Sequence, residues 1–297
     1  MTGTAPAAYP SPRALLDKYD LRAKKSWGQN FLGDQAVLDD IARLAAPTGG
    51  ERVVELGAGL GHLTARLLAR GAQVTAVERD RDMARVLRGE LGERITLLEA
   101  DAARFAYAPV AGPGGGLSVV GNLPYHLTSP ILFSLLDQLG SVSRATFLVQ
   151  REVAERLAAV PGEKDWGILS VFLQREADVS IERIVPPGAF FPPPRIHSAV
   201  ILALFRPPHP GCEVLDVARF RKLVKGGFAQ RRKTLKNALE ASRVALPEAM
   251  AAALLAAGID GGRRGETLTV AEWAALERAL GPAEAAPSGA AAAQDSG

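Results

Sequence analysis

The sequence predicts an α/β protein with a doubly wound, mainly parallel sheet that ends in an antiparallel edge, followed by a smaller all-helical C-terminal domain. Over the first two thirds of the 297 residues, apolar runs of strand length alternate with helical stretches, as in a parallel sheet covered by helices. Two later apolar runs, DVSIERIV and SAVILALF, lie on either side of a proline-rich loop and predict the antiparallel edge. After residues 206–211 the strand pattern stops, and helical patterns continue to about residue 280.

Strand and helix candidates follow one another along the chain. The strand candidates are RVVEL (52–56), QVTAV (73–77), ITLLE (95–99), LSVVG (117–121) and ATFLV (145–149). Helical stretches near 34–46, 61–70, 80–91 and 128–139 separate most of them. Both termini are rich in Ala, Pro, Gly and Ser, which predicts little ordered structure there. We therefore expect a disordered or extended segment at 1–21, a sheet-containing domain at 22–207, a helical domain at 208–281 and a disordered tail at 282–297.

Composition narrows the class of protein. Hydrophobic residues make up 47% and charged residues 23% of the chain, which is ordinary for a soluble globular protein. No apolar run reaches the roughly 20 residues of a membrane span, and the N-terminus lacks the pattern of a secretory signal. Cys212 is the one cysteine, and neither it nor the scattered histidines suggest a metal site. We expect a cytoplasmic protein that binds no metal.

The stretch VVELGAGLGHL (53–63) has the pattern of a strand, a glycine-rich turn and a helix. Its alternating glycines let the backbone turn sharply and approach a ligand closely. The next strand ends at Glu78, whose carboxylate can accept both hydroxyls of a ribose, and the third ends at Asp101, a natural partner for an adenine amine. The turn lacks both the dinucleotide spacing and the lysine of a phosphate-binding loop. S-adenosylmethionine fits this pattern, although such a turn can also serve packing alone, and Glu55 can be structural.

The fourth strand ends in Asn122-Leu123-Pro124-Tyr125. Ligands of a doubly wound sheet bind at the carboxyl ends of its strands, so this loop should line the same crevice. Methylation of an adenine amine needs two acceptors, for which the Asn122 side-chain oxygen and the Leu123 carbonyl are suitable. Pro124 keeps Leu123 extended, and Tyr125 offers a face on which a base can stack. The alternative is a strand-terminating turn with a partly buried tyrosine.

Residues 219–237 form the basic segment, with eight basic residues and no acidic one. Apolar residues at Leu223, Val224, Phe228 and Leu235 predict that it folds into amphipathic structure. A folded surface without local acids is a suitable footprint for phosphates, although a solvated helix face has the same composition.

Several motifs also occur together in order. They are KKSWGQNFL (24–32), ELGAGLGHLT, VERD, EAD, NLPY, FLVQREVAERL (147–157), WGILSVFLQ (166–174), FFPPPRIHSAV (190–200) and FAQRRKTLKNAL (228–239). Over about residues 22–280 the chain thereby resembles the small-subunit (16S) ribosomal RNA adenine N6,N6-dimethyltransferase family, which has a Rossmann-like class I methyltransferase fold.

This resemblance implies transfer of methyl groups from S-adenosylmethionine to two adjacent adenosines near the 3′ end of small-subunit rRNA, during ribosome assembly. Residues 22–207 would be the catalytic domain and 208–281 the RNA-binding domain of a monomer that acts on an immature small subunit and not at a membrane. The catalytic residues would be Asn122, Leu123, Pro124, Tyr125 and Phe190. The cofactor residues would be Asn30, Leu32, Gly57, Gly59, Glu78, Arg79, Asp101, Ala102 and Asn122. The RNA-binding residues would be Arg221, Lys222, Lys225, Arg231, Arg232, Lys233 and Lys236.

Some alternatives stay open. Phe191 could stack on the base in place of Phe190, or both rings could belong to the core; we favour Phe190. His126 and His197 depart from the residues usual in the family, and for His126 we favour a structural or RNA-contacting role. The rival functions are a large-subunit rRNA adenine methyltransferase of the macrolide-resistance type, a DNA adenine methyltransferase, and a non-catalytic RNA-binding assembly factor.

Overall fold

The computed structural model describes residues 9–24, 27–112, 116–230 and 232–282. The strands are β1 (Phe31–Leu32), β2 (Arg52–Leu56), β3 (Gln73–Val77), β4 (Thr96–Leu98), β5 (Leu117–Asn122), β6 (Val142–Gln150), β7 (Ala177–Val185), β8 (Phe190–Phe191) and β9 (Ser198–Phe205). The helices are α1 (Pro12–Lys18), α2 (Gln35–Ala45), α3 (His62–Ala69), α4 (Arg81–Leu91), α5 (Ala108–Ala111), α6 (Thr128–Leu136), α7 (Arg151–Ala158), α8 (Ile168–Glu176), α9 (Val217–Ala229), α10 (Leu235–Ser242), α11 (Pro247–Ala256) and α12 (Val270–Ala279). None of these helices is long and apolar enough to cross a membrane.

Within the described residues, the main sheet has seven strands in the order β4-β3-β2-β5-β6-β9-β7. The first five strands of this order are parallel, while β9 pairs antiparallel with both β6 and β7. The predicted fold class, including its antiparallel edge, is therefore confirmed. A separate antiparallel ribbon joins β1 to β8, with Leu32 opposite Phe190 and Phe31 opposite Phe191, and no sequence pattern predicted it.

The central strands are buried because helices cover the sheet. In β2, Val53, Val54 and Leu56 are fully buried, as continuous apolar runs of parallel strands require. Helix α2 begins at the Asp34 cap, whose side chain accepts a hydrogen bond from the Val37 amide at 3.0 Å. Its apolar stripe, which includes Ile41, packs in one core cluster with β2 and β5.

The described residues divide into two compact units. One holds the chain up to residue 159 together with 172–207 and contains the sheet, while the other holds 160–171 and the chain from 208 onward. The sequence expectation of one domain at 22–207 placed 160–171 with the sheet. In the helical unit, the buried Trp166 indole instead donates to the Leu268 carbonyl at 3.1 Å. That hydrogen bond joins residues 102 positions apart in the chain, which no local pattern can reveal.

The expectation of a disordered or extended segment at 1–21 is wrong for its described part. Helix α1 starts after the Ser11 cap, whose side chain accepts from the Ala14 amide, and Pro12 occupies the first turn. Leu15 and Leu16 on this helix are buried, so apolar packing supplies the stability that such a short helix lacks alone. Residues 1–8 and 283–297 lie outside the described residues.

Candidate active site

The carboxyl ends of β3, β2 and β5 lie side by side at one edge of the sheet. These three strands are parallel neighbours, so the segments that follow them open onto a common crevice. A cavity there is lined by the glycine-rich turn, by Glu78, by residues 122–125 and by residues 27–32. The predicted cofactor and catalytic segments thus meet around one space.

The glycine-rich turn has a backbone that other residues rarely adopt. Gly57, Gly59 and Gly61 have φ angles of +72°, +56° and +83°, in the left-handed region that favours glycine. A Cβ atom at Gly59 would also lie 3.4 Å from the Phe31 ring. At Gly57 and Gly59 the backbone of the turn therefore borders the cavity with no side chain of its own.

Glu78 fastens this turn to the end of β3. Its Oε2 accepts from the Gly59 amide at 2.8 Å, and its Oε1 accepts from the Asp80 amide at 2.7 Å. Burial raises the pKa of the Glu78 carboxyl, while these backbone donors act in the opposite direction. A carboxylate has about four acceptor positions, more than these bonds use, so Glu78 can still accept from a bound hydroxyl.

A second cavity next to Glu78 brings in the end of β4. Its lining includes Arg79, Asp101 and Ala102, all predicted for the cofactor, together with Trp27 and His126. One Asp101 oxygen accepts from the Ala103 amide at 3.0 Å, and the other lies 3.6 Å from the Arg79 guanidinium. Arg79 is largely exposed, which leaves it able to move when a ligand enters.

The Asn122 side chain is oriented by the segment that precedes β1. Its Nδ2 donates to the Asn30 carbonyl at 2.9 Å, an orientation that the hydrogen-bond network assigns. One of the two N–H groups of this amide is thus bonded, and Oδ1 is the acceptor that a ligand would meet. Asn30, predicted for the cofactor, lines the same cavity, and so does Leu32.

The rest of this loop is fixed through its backbone. The Leu123 amide donates to the Leu148 carbonyl at 3.1 Å, and the Pro124 carbonyl accepts from the Leu127 amide at 2.8 Å. The Tyr125 hydroxyl lies 3.0 Å from Ser198 Oγ, which holds one end of its ring.

Sequence reasoning missed Gly121, which precedes this loop. A Cβ atom there would lie 2.5 Å from the Leu56 carbonyl oxygen, so only glycine lets β5 approach β2 this closely. A glycine inside an apolar strand is the signal for such a close approach.

Trp27 was also missed as a site residue. Its ring lies 5.3 Å from Lys24 Nζ and 5.8 Å from the Arg79 guanidinium, both within reach of a cation–π interaction. Lys24 is itself held by Asp80 and Asp82 at 2.7 Å each. The tryptophan borders both cavities, and the signal in the sequence was an aromatic residue next to two lysines in KKSWGQNFL.

The two candidate stacking rings differ strongly in exposure. Phe190 is 5% exposed and packs in the core cluster with Leu32 and Val120, whereas Phe191 is 38% exposed. Phe190, which we favour as the ring that stacks on the base, is therefore the buried one of the two. The β1–β8 ribbon places it opposite Leu32, a cavity-lining residue.

The histidines show no metal arrangement. His126 is exposed beside the second cavity, and His197 is exposed just before β9, where its carbonyl accepts from the Arg151 amide at 3.1 Å. Among the residues that the structure describes, no group of three or more His, Cys, Asp or Glu side chains could hold a metal ion.

In the described part of the basic segment, residues 219–229 belong to α9 and residues 235–237 to α10. Arg219, part of this run, is paired with the fully buried Glu277 through a hydrogen bond of 2.9 Å from its Nε, so it stabilises the helical unit instead of facing a ligand. Of the predicted RNA-binding residues, Arg231 lies outside the described residues and Arg221 is half-buried. The exposed ones are Lys222, Lys225, Arg232, Lys233 and Lys236.

Sequence comparison matches residues 20–280 to the family described as ribosomal RNA adenine dimethylase. The chain is 74% identical to a ribosomal RNA small subunit methyltransferase A from Anaeromyxobacter sp. (strain K), over 92% of this chain and 99% of that protein. It is 51% identical to the protein of the same name from Myxococcus xanthus, over 92% and 96% of the two chains.

Solved structures show the same fold. A dimethyladenosine transferase from Plasmodium falciparum superposes with a TM-score of 0.69 at 22% identity, covering 83% of this chain and 95% of the other. The 23S rRNA methyltransferase ErmE superposes with a TM-score of 0.64 at 26% identity, covering 84% and 99%. With the family match and the similar relatives, this establishes that the chain belongs to the ribosomal RNA adenine dimethylase family.

Proposed function

We propose that this protein transfers methyl groups from S-adenosylmethionine to the exocyclic amines of two adjacent adenosines near the 3′ end of small-subunit rRNA. The observation that carries the proposal is the Asn122 amide, whose nitrogen is held by the Asn30 carbonyl and whose oxygen is left to accept from a substrate amine. This group stands at the end of β5 beside the cavity formed by the glycine-rich turn.

The cavities fit S-adenosylmethionine by the chemistry of their donors and acceptors. Glu78 can accept from the ribose hydroxyls, Asp101 can accept from the adenine amine, and the left-handed glycines leave the turn open. Asn30 and Leu32 also line the first cavity, and Arg79 and Ala102 line the second. When bound, S-adenosylmethionine supplies an electrophilic methyl group on a positively charged sulfur.

The residues of the Asn122 loop prepare the amine for transfer. The lone pair of an adenine amine is delocalised into the ring, so the amine is a poor nucleophile. Asn122 Oδ1 and the Leu123 carbonyl would each accept one N–H, which favours a pyramidal nitrogen. With S-adenosylmethionine bound, a nitrogen–carbon bond would form as the carbon–sulfur bond breaks, S-adenosylhomocysteine would be left, and the proton of the acidified amine would pass to solvent. Fixed dipoles of this kind act mainly through positioning and preorganisation.

Tyr125 and Phe190 would hold the target base between their rings. Tyr125 is partly exposed and is tethered through its hydroxyl to Ser198. Phe190 lies in the core cluster, so its ring must gain exposure when the base enters. Extrusion of a base costs about a few kcal/mol, which stacking on aromatic side chains can offset at about 1–3 kcal/mol per base.

The small-subunit substrate is favoured over its rivals by the relatives. Identity is 74% and 51% to proteins named small subunit methyltransferase A, and 26% to a 23S rRNA methyltransferase. The exposed cations of the basic segment would dock the phosphates of folded RNA, so an immature small subunit in the cytoplasm is the proposed partner of a monomeric enzyme.

The test is a methylation assay with undermethylated small ribosomal subunits, large-subunit RNA and DNA in parallel, read by nucleoside mass spectrometry. We expect dimethyladenosine in small-subunit RNA alone. Product in large-subunit RNA would instead favour the macrolide-resistance type. Glu78→Ala distinguishes the enzyme from a non-catalytic assembly factor. The substitution should abolish methyl transfer, whereas an assembly factor would keep its function without methylation.

A further inference from the structure

Residues Tyr9–Leu21, which we call the N-terminal strap, lie outside the motifs that resemble the methyltransferase family. They nevertheless dock on the cofactor side of the sheet-containing unit. Leu15 and Leu16 are buried in a cluster with Phe31, Leu60 and Met83. Phe31, Leu60 and Met83 also line the first cavity. The strap therefore packs against residues that form part of the wall of this cavity.

At its start, the strap holds the glycine-rich turn. The Tyr9 hydroxyl donates to the Leu60 carbonyl at 2.8 Å. Its ring meets the His62 ring edge-on with centroids 5.2 Å apart, and His62 Nε2 lies 2.8 Å from the Pro10 carbonyl. Burial raises the pKa of the Tyr9 hydroxyl, which therefore stays protonated and able to donate at neutral pH.

The turn is shaped to admit this hydroxyl. A Cβ atom at Gly61 would lie 2.7 Å from the Tyr9 oxygen, closer than such atoms approach without displacement. Gly61 therefore serves two needs, a left-handed φ angle and room for the tyrosine. The contact therefore depends on both Tyr9 and Gly61 and is a specific feature of the packing.

At its end, the strap is anchored to α4 in the same manner. The Tyr19 hydroxyl and Lys18 Nζ both reach Glu90 Oε1, at 2.8 and 2.6 Å. A Cβ atom at Gly89 would overlap the Tyr19 hydroxyl, which explains a glycine inside a helix, where it costs about 1 kcal/mol relative to alanine. Tyr19 is thus an anchor whose hydroxyl bonds to α4 and not to the turn.

We infer that the N-terminal strap sets the affinity for S-adenosylmethionine, with Tyr9 as a positioning residue that holds the Gly59–Gly61 backbone in its binding conformation. The inference rests on the proposed function. Tyr9 would act through Leu60 and would not touch the cofactor. Without its hydrogen bond the turn samples other conformations, and the ligand has to order it on binding.

The test compares Tyr9→Phe with Tyr19→Phe, two changes that each remove one hydroxyl from the same strap. S-adenosylmethionine is titrated into each full-length protein by calorimetry, and steady-state kinetics give KM and kcat. We expect Tyr9→Phe to raise Kd and KM for S-adenosylmethionine about fivefold with kcat kept, which is the size expected when one hydrogen bond is removed. Tyr19→Phe should lower Tm and leave Kd unchanged.

Two results would contradict the inference in different ways. Equal S-adenosylmethionine affinity of wild type and Tyr9→Phe would overturn it alone and leave the proposed function standing. Failure of the wild type to bind S-adenosylmethionine would overturn the proposed function and the inference with it. If Tyr9→Phe does not fold, Leu16→Val loosens the packing of the strap on Phe31, Leu60 and Met83 and should raise Kd in the same direction, and an unchanged Kd would again overturn the inference.

Discussion

At the carboxyl edge of the sheet, the side chains of Glu78 and Asn122 are fixed by hydrogen bonds, whereas five cations of the basic segment are exposed, namely Lys222, Lys225, Arg232, Lys233 and Lys236. Glu78 is held by two backbone amides at 2.8 and 2.7 Å, and Asn122 by the Asn30 carbonyl at 2.9 Å. Lys222 and Lys225 extend from exposed positions, and the ion pair of Lys236 with Glu240 is long, at 4.0 Å.

Because of this difference, we expect substitutions in the two regions to act differently. A fixed acceptor cannot be replaced by its neighbours, so each substitution at the sheet edge should have a large effect that depends on geometry. Exposed cations act through summed charge that salt screens, so each one should matter little and the set should matter together.

The largest effect should come from Asn122→Ala. Removal of one preorganised polar group at a reacting centre costs about 10²–10³ in rate, and we expect that reduction in single-turnover methylation. Ser129→Ala, an exposed change in the first turn of α6, is the control and should keep the wild-type rate. A rate for Asn122→Ala within about twofold of wild type would show that the amine is not gripped there.

The next largest effect should distinguish Phe190 from Phe191 as the ring that stacks on the base. Phe190→Leu keeps an apolar side chain in the core but removes the stacking face, and stacking is worth about 1–3 kcal/mol. We expect the KM for RNA to rise at least about fivefold, with Phe191→Leu as the matched control near wild type. The reverse result would move the stacking role to the exposed Phe191. Tm of both variants checks that neither effect is unfolding.

The sequence predicts much of this edge because strand ends can be located locally. Glu78, Asp101 and Asn122 each follow or end an apolar run, and parallel pairing then brings them together. Local patterns fail where long-range packing decides. The exposure of Phe190 and Phe191 depends on their pairing with β1, which is too short to recognise.

The same limit applies away from the sheet edge. Arg219 belongs to a basic run by sequence, yet it pairs with a buried carboxylate 58 residues away. Helix α1 is short and lies in an Ala- and Pro-rich region, so composition alone pointed to disorder. Its order comes from Leu15 and Leu16 packing against residues far along the chain.

A smaller effect is expected in the basic segment. Each single change of Arg231, Arg232 or Lys233 to Ala should weaken particle binding only a few-fold, whereas the triple change should also flatten the salt dependence. The slope of log K against log salt should fall by about 0.7–0.9 for each phosphate that is no longer neutralised. Arg43→Ala, which removes an exposed cation paired with Asp40, is the control. An unchanged slope in the triple variant would contradict the docking role.

The last effect concerns stability and its dependence on pH, and it leaves the reaction rate aside. Burial raises the pKa of Glu55 to about 8, although the Thr64 hydroxyl donates to it at 2.6 Å. Because this folded-state pKa lies above the ordinary value of 4.5, the folded protein binds the proton more tightly than the unfolded chain does. The stabilisation is therefore fully present below pH 4.5 and is lost as pH rises through about 8.

Glu55→Gln keeps an acceptor for Thr64 and removes the titration. Its Tm should fall less than that of wild type between about pH 5 and pH 8, where one pKa unit corresponds to about 1.4 kcal/mol. Scanning calorimetry across that range measures the difference. Parallel Tm curves for the two proteins would show that Glu55 does not titrate there.

The division of work between the two regions is tested most directly by a single-turnover titration of small ribosomal subunits with Asn122→Ala and with the triple Arg231, Arg232 and Lys233 to Ala variant. The maximum rate reports the chemical step, and the half-saturating concentration reports docking. The account predicts a reduced maximum rate with unchanged half-saturation for Asn122→Ala, and the converse for the triple variant. Weakened docking in Asn122→Ala, or a reduced maximum rate in the triple variant, would contradict it.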